Sequence, residues 1–269
     1  MRITTVWTGR RLGILLGALA LTRSAFPDPA PPRQIVVLVS ADTEWKVVAA
    51  RYPGKAVAGG TPYGEYILPG GELGSVVLFH GGWGKIAAAG STQYAIARWK
   101  PELLVNIGTC GGFEGDVAKG EILLVNKTVV YDIVEQMGDA AEAIRDYSTV
   151  LDLSWLDAKR PAGLRETLLV SGDRDIVTSE IPMLRKTYGA VAADWESGAI
   201  AYVAKANGVP LLILRGVSDI TGATGGEAYG NEAAFEAGAR LIMNRLLDDL
   251  PSWIGRWHAH REALTRKAR

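Results

Sequence analysis

Carboxylates and glycines gather just past the apolar runs of this chain. Ala41-Asp42-Thr43-Glu44-Trp45 follows IVVLVS (35–40), and Gly81-Gly82-Trp83-Gly84-Lys85 follows SVVLFH (75–80). Gly108-Thr109-Cys110-Gly111-Gly112 follows LLVNI (103–107), and Ser218-Asp219 follows LLILRGV (211–217). Asp194-Trp195-Glu196 stands directly before a helical stretch. Glycines let a ligand approach backbone N–H groups closely. Carboxylates in such places bind hydroxyls, move protons or hold a metal. Taken singly, Glu44 or Asp219 reads as a helix cap or a loop charge, and Trp195 as core. Cys110 alone reads as a small packed residue. Their joint placement is what points to a site.

The elements that must carry these residues alternate. Candidate strands are 35–40, 75–80, 103–107, 121–130, 167–171 and 211–217, several of them unbroken runs of Val, Ile and Leu. Such runs suit strands covered on both faces. Helical stretches lie at 85–99, 197–207 and 231–250; the second ends at Asn207-Gly208-Val209-Pro210, a C-terminal stop signal. The alternation predicts an α/β fold: one domain over 34–255, with a mixed central β-sheet flanked by helices. Ligands in such sheets bind beyond the carboxyl ends of the strands, where the carboxylates and glycines cluster.

Composition excludes several functions. The chain has 269 residues, 48% hydrophobic and 22% charged, with 29 basic and 29 acidic side chains. Residues 1–33 and 256–269 each carry a net +4, which leaves −8 on 34–255. So acidic a body is a poor partner for nucleic acid. A single cysteine and three histidines allow no disulfide within the chain, and no metal-ligand spacing occurs. No cofactor or metal is expected. Gly82-x-Gly84-x-x-Ala87 imitates a dinucleotide-binding turn, but the acidic residue expected at the end of the next strand is missing. Arg10-Arg11, the apolar run 12–21 and a proline cluster at 26–33 have the pattern of a secretory signal peptide and linker. Ten apolar residues are too few for a stable membrane span. Export, to a periplasm for example, is the localisation this pattern favours. Residues 256–269 read as a basic tail.

Six segments, in order, resemble the purine nucleoside phosphorylase/uridine phosphorylase superfamily, and within it the methylthioadenosine/S-adenosylhomocysteine nucleosidases. They are VLVSADTEW (37–45), GGWGKIAAAG (81–90), VNIGTCGGF (105–113), VSGDRDI (170–176), ADWESGAIA (193–201) and LRGVSDITG (214–222). The resemblance implies a nucleoside phosphorylase-like fold, a purine nucleoside as substrate, and a homodimer whose partner subunit completes the pocket. It also implies roles for individual residues. Glu44 activates water, Asp219 protonates the purine, and Glu196 holds the ribose hydroxyls. Trp195 lies beside the ribose. Thr109 and Gly111 lie against sugar and base, and the backbone of Ile176 reads the base edge. Such a set suits N-glycosidic hydrolysis, in which one acid protonates the leaving group while a base prepares water on the opposite sugar face.

Phosphorylases of the superfamily hold phosphate with arginines, one after the first strand and one before the glycine of the third. Here those places read Ala41-Asp42-Thr43-Glu44 and Asn106-Ile107-Gly108. A carboxylate and an amide replace cationic donors, which favours water as nucleophile. Asp175 stands where bacterial relatives place an aromatic residue against the purine. The expected activity is therefore hydrolysis of 5'-modified adenosines. The alternatives are a phosphorylase, a hydrolase of another purine nucleoside such as futalosine, and a non-catalytic purine-binding relative.

Overall fold

The structure is a computed structural model, and it describes residues 34–57, 60–156, 161 and 164–267. The reading of 1–33 as a signal peptide and linker lies outside the described residues.

Strand β1 (Ile35–Val39) leads into helix α1 (Asp42–Arg51). β2 (Tyr66–Ile67) and β3 (Val77–His80) pair antiparallel at one edge. Helix α2 (Gly84–Trp99) returns the chain to β4 (Leu103–Phe113), which is followed by β5 (Ile122–Val130). Then come α3 (Ala140–Asp146), β6 (Ser148–Val150), β7 (Arg165–Ser171) and α4 (Ile181–Tyr188). β8 (Ala192–Asp194), α5 (Ser197–Ala206), β9 (Leu211–Gly222), β10 (Gly225–Gly226) and α6 (Glu232–Lys267) complete the order.

The sheet is mixed, as its sequence predicts, and part of it closes. β4 pairs parallel with β9 from Leu104–Leu211 to Phe113–Thr221, with a register shift between Cys110 and Gly111. β9 pairs antiparallel with β5, β5 parallel with β7, β7 parallel with β8, and β8 antiparallel with β4. Five strands thus form a ring. β1, β3 and β2 extend from β4 as an open wing. β1, β4 and β9 are almost wholly buried, which is why they read largely as continuous apolar runs, whereas β7 opens with exposed Arg165 and Glu166.

Two strands outrun their apolar signal. β4 continues through Gly108–Phe113 and β9 through Ser218–Gly222. In both, the polar and glycine-rich ends still pair with each other along the ladder. Residues read as loop from composition are therefore fixed in extended backbone. Cross-strand pairing overrides weak local propensity here.

The boundary expected at 256 is corrected. α6 does not stop near Leu250; it runs through Pro251 to Lys267. Trp253, Ile254 and Trp257 are buried along it, and Trp257 meets Trp155 edge-on at 5.2 Å. That apolar stripe, spaced by three and four residues, carries the helix past the proline. Among the described residues no helix is long and apolar enough to cross a membrane.

Candidate active site

Glu44 sits in the first turn of α1, and only 2% of it is exposed. Its Oε1 accepts the Thr109 amide at 2.6 Å and the Thr109 hydroxyl at 2.8 Å, while Oε2 accepts the Ala41 amide at 3.3 Å. The last bond closes the helix start back on itself, so one carboxylate both caps α1 and faces β4.

Beside Glu44 lies a group the sequence reading passed over. Arg215, in the middle of β9, has no exposed surface. Its Nη2 meets Asp194 Oδ2 at 2.9 Å and donates to Asn106 Oδ1 at 2.7 Å. Nε donates to Ser197 Oγ at 2.9 Å and Nη1 to the Thr109 carbonyl at 3.4 Å. Glu196 Oε2 stands 4.0 Å from Nη2. A Cβ on Gly108 would fall 2.0 Å from Arg215 Nη1 and 2.9–3.0 Å from both Glu44 carboxylate oxygens. Glycine at 108 is what lets the guanidinium and the carboxylate share that face of β4. The signal in the sequence was a lone arginine inside the run LLILRGV, because a buried charge requires partners.

Asp194, at the end of β8, is the main partner. Its Oδ1 accepts the Ser171 hydroxyl at 2.5 Å, and Oδ2 accepts the Ser197 amide at 3.0 Å at the start of α5. Glu196 is held from the other side, where its Oε1 accepts the Gly84 amide at 3.0 Å at the start of α2. The same turn is pinned by Asp173, which accepts the Lys85 amide at 2.7 Å, and by the Lys85–Asp132 ion pair. Burial, and then the neighbouring Asp194 carboxylate, push the Glu196 carboxyl up to about 8. Both effects favour the protonated form of Glu196.

Asp219 lies further along β9 and is 8% exposed. Its Oδ1 accepts the Ser218 hydroxyl at 2.6 Å, and burial raises its pKa despite that bond. A Cβ on Gly111 would stand 2.8 Å from Ile176 Cδ1 and 3.8 Å from Asp219 Oδ2, so Gly111 separates these two residues. Asp175 is exposed and acts on Asp219 as a nearby like charge. Trp195 stacks on Trp83 with centroids 4.6 Å apart, and Trp83 is 62% exposed. No aromatic side chain occupies position 175. Among the described residues no His, Cys, Asp and Glu group has a metal-holding arrangement.

The predicted residues thus fall into two linked groups. Glu44, Thr109 and Glu196 gather about Arg215, while Asp219, Gly111 and Ile176 meet two residues further along β4. Trp195 lies beside the first group, turned towards Trp83. Asn106, where a phosphorylase would place a phosphate arginine, instead braces Arg215 and donates to the Leu38 carbonyl at 3.1 Å.

Comparison with known proteins agrees with this architecture. Residues 34–250 match the family model described as the phosphorylase superfamily. A 5'-methylthioadenosine/S-adenosylhomocysteine nucleosidase of Hydrogenovibrio crunogenus is 30% identical over 197 residues, covering 68% of this chain and 84% of that protein. The crystal structure of a Helicobacter pylori nucleosidase of the same name, with butyl-thio-DADMe-Immucillin-A, superposes with a TM-score of 0.68 at 17% identity, covering 82% and 98% of the two chains. The native futalosine hydrolase of Helicobacter pylori gives 0.67 at 17% identity, with the same coverage. The chain belongs to the phosphorylase superfamily, among its 5'-methylthioadenosine/S-adenosylhomocysteine nucleosidases.

Proposed function

We propose that this protein hydrolyses the N-glycosidic bond of 5'-substituted adenosines and releases adenine. The observation that carries the reading is the division of labour between two buried carboxyl groups. Burial raises the Asp219 pKa and so favours its proton-bearing form, while Glu44 is an acceptor beside a buried arginine. Breaking the bond builds positive charge on the ribose and negative charge on the departing purine. Asp219 delivers its proton to the purine as that charge develops. Glu44, with the Thr109 hydroxyl, orients and deprotonates water on the opposite sugar face. Arg215 holds Glu44 and Glu196 in place without itself moving a proton. Glu196 receives the ribose hydroxyls, Trp195 flanks the sugar, and the Ile176 backbone meets the base edge.

Water rather than phosphate is the nucleophile in this reading. Arg215 is already paired with Asp194, and Glu44 and Glu196 stand beside it. A phosphate dianion there would face the Asp194 and Glu44 carboxylates and one committed cation. A second substrate, futalosine, stays in view because Asp175 replaces the purine-facing aromatic residue. Incubation with 5'-methylthioadenosine, S-adenosylhomocysteine, futalosine and inosine, with and without phosphate, separates these readings by the base released. Adenine from the first two, unchanged by phosphate, supports the proposal. Base release only when phosphate is present overturns it.

The working form is a homodimer. Trp83 and Ile86 flank Lys85 and are 62% and 88% exposed; Val134 and Met137, just past Asp132, are 79% and 97% exposed. The Lys85–Asp132 ion pair joins these two stretches. So much apolar surface beside a pocket mouth suits burial against a second copy.

A further inference from the structure

One contact at the base end of the site has no role in the chemistry above. The chain leaving Asp219 turns through β10 and brings Tyr229 back over the strand it came from. The Tyr229 hydroxyl donates to the Ile176 carbonyl at 3.0 Å and lies 3.5 Å from the Thr221 hydroxyl. Its ring packs on Gly226, where a Cβ would come within 2.7 Å. Glu227 anchors the same turn, accepting the Ile220 amide at 3.3 Å and pairing with Lys119 at 3.0 Å. Tyr229 therefore ties the segment carrying Ile176 to the strand carrying Asp219.

We propose that Tyr229 is a positioning residue that fixes the gap between the Ile176 carbonyl and Asp219, and so sets the preference for a 6-amino over a 6-oxo purine. This rests on the reading of the site as a purine nucleosidase. A carbonyl oxygen only accepts. On that reading the Ile176 backbone meets the base edge, where a carbonyl takes a hydrogen bond from an exocyclic amine and repels an exocyclic oxygen. Tyr229 occupies one of its two acceptor positions and leaves the other. Without the hydroxyl, the carbonyl is free to turn, and the discrimination weakens.

The test is Tyr229→Phe, which keeps the ring and its packing. The readouts are kcat and KM for 5'-methylthioadenosine and 5'-methylthioinosine, together with Kd for free adenine and hypoxanthine. One neutral hydrogen bond corresponds to roughly a three- to tenfold effect. The adenine-to-hypoxanthine preference should fall by about that factor in kcat/KM and in Kd, through KM for the adenine substrate, with Tm lowered by no more than a few degrees. Equal losses for both bases, or an unchanged ratio, would overturn the proposal. A parent protein that releases no purine from any nucleoside defeats the nucleosidase reading instead, while an active parent with an unaltered ratio in the variant defeats only this one.

Discussion

Asp219 and Glu196 are both carboxyls pushed towards the neutral form by burial, yet the account asks different things of them. Asp219 must lose its proton to the substrate. Asp219→Asn keeps the shape and cannot deliver a proton, so turnover should fall by roughly 10²–10⁴-fold while substrate still binds. Steady-state kinetics with an equilibrium binding measurement check this; full turnover in the variant would remove Asp219 from the mechanism. Glu196 has a consequence for stability. In the unfolded chain a glutamate releases its proton near 4.5, whereas the folded site holds it to about 8. Between those values the folded state binds more protons, so stability should fall as pH rises and level off above about 8. Denaturation across pH 4–9 should show this slope in the parent, and a flatter one in Glu196→Gln.

Among the elements, the C-terminal half of α6 is where composition misled most. Arg256, Arg261, Arg266 and Lys267 dominate the stretch and suggest a solvated tail. Trp253, Ile254 and Trp257 nevertheless bury one face of it. Trp257→Ala should destabilise by about 3 kcal/mol, as for a buried aromatic, and not by the few tenths expected on a free tail. Chemical denaturation measures this directly. The strands were easier to read, because β1, β4, β5 and β9 are buried on both faces and need unbroken apolar runs. Short elements such as α1 and β8 were missed. α1 carries little amphipathic pattern, and β8 has three residues whose pairing depends on distant partners. In the site, Glu44, Glu196 and Asp219 stood out as carboxylates at strand ends. Arg215 and Asp194 did not, because their meaning depends on each other across the ring of strands. Ring closure itself, through β4 and β9, is a long-range pairing that no local pattern announces.

At the scale of the described domain, the closed part of the sheet brings the ends of β4, β7, β8 and β9 to one place, with α1, α2 and α5 each starting there. Three helix starts contribute amides or caps to the same cluster of carboxylates. The exposed Trp83, Ile86, Val134 and Met137 lie at its margin and call for a second copy. Sedimentation should give a dimer, and Met137→Asp should weaken both the dimer and turnover; a fully active monomer would contradict this. The central claim is that water, prepared by Glu44, takes the ribose while Asp219 protonates the purine. The most direct measurement is the product formed from 5'-methylthioadenosine in ¹⁸O-water with phosphate present. The account predicts free adenine and 5-methylthioribose carrying the label at its anomeric carbon; 5-methylthioribose-1-phosphate formed without label would contradict it.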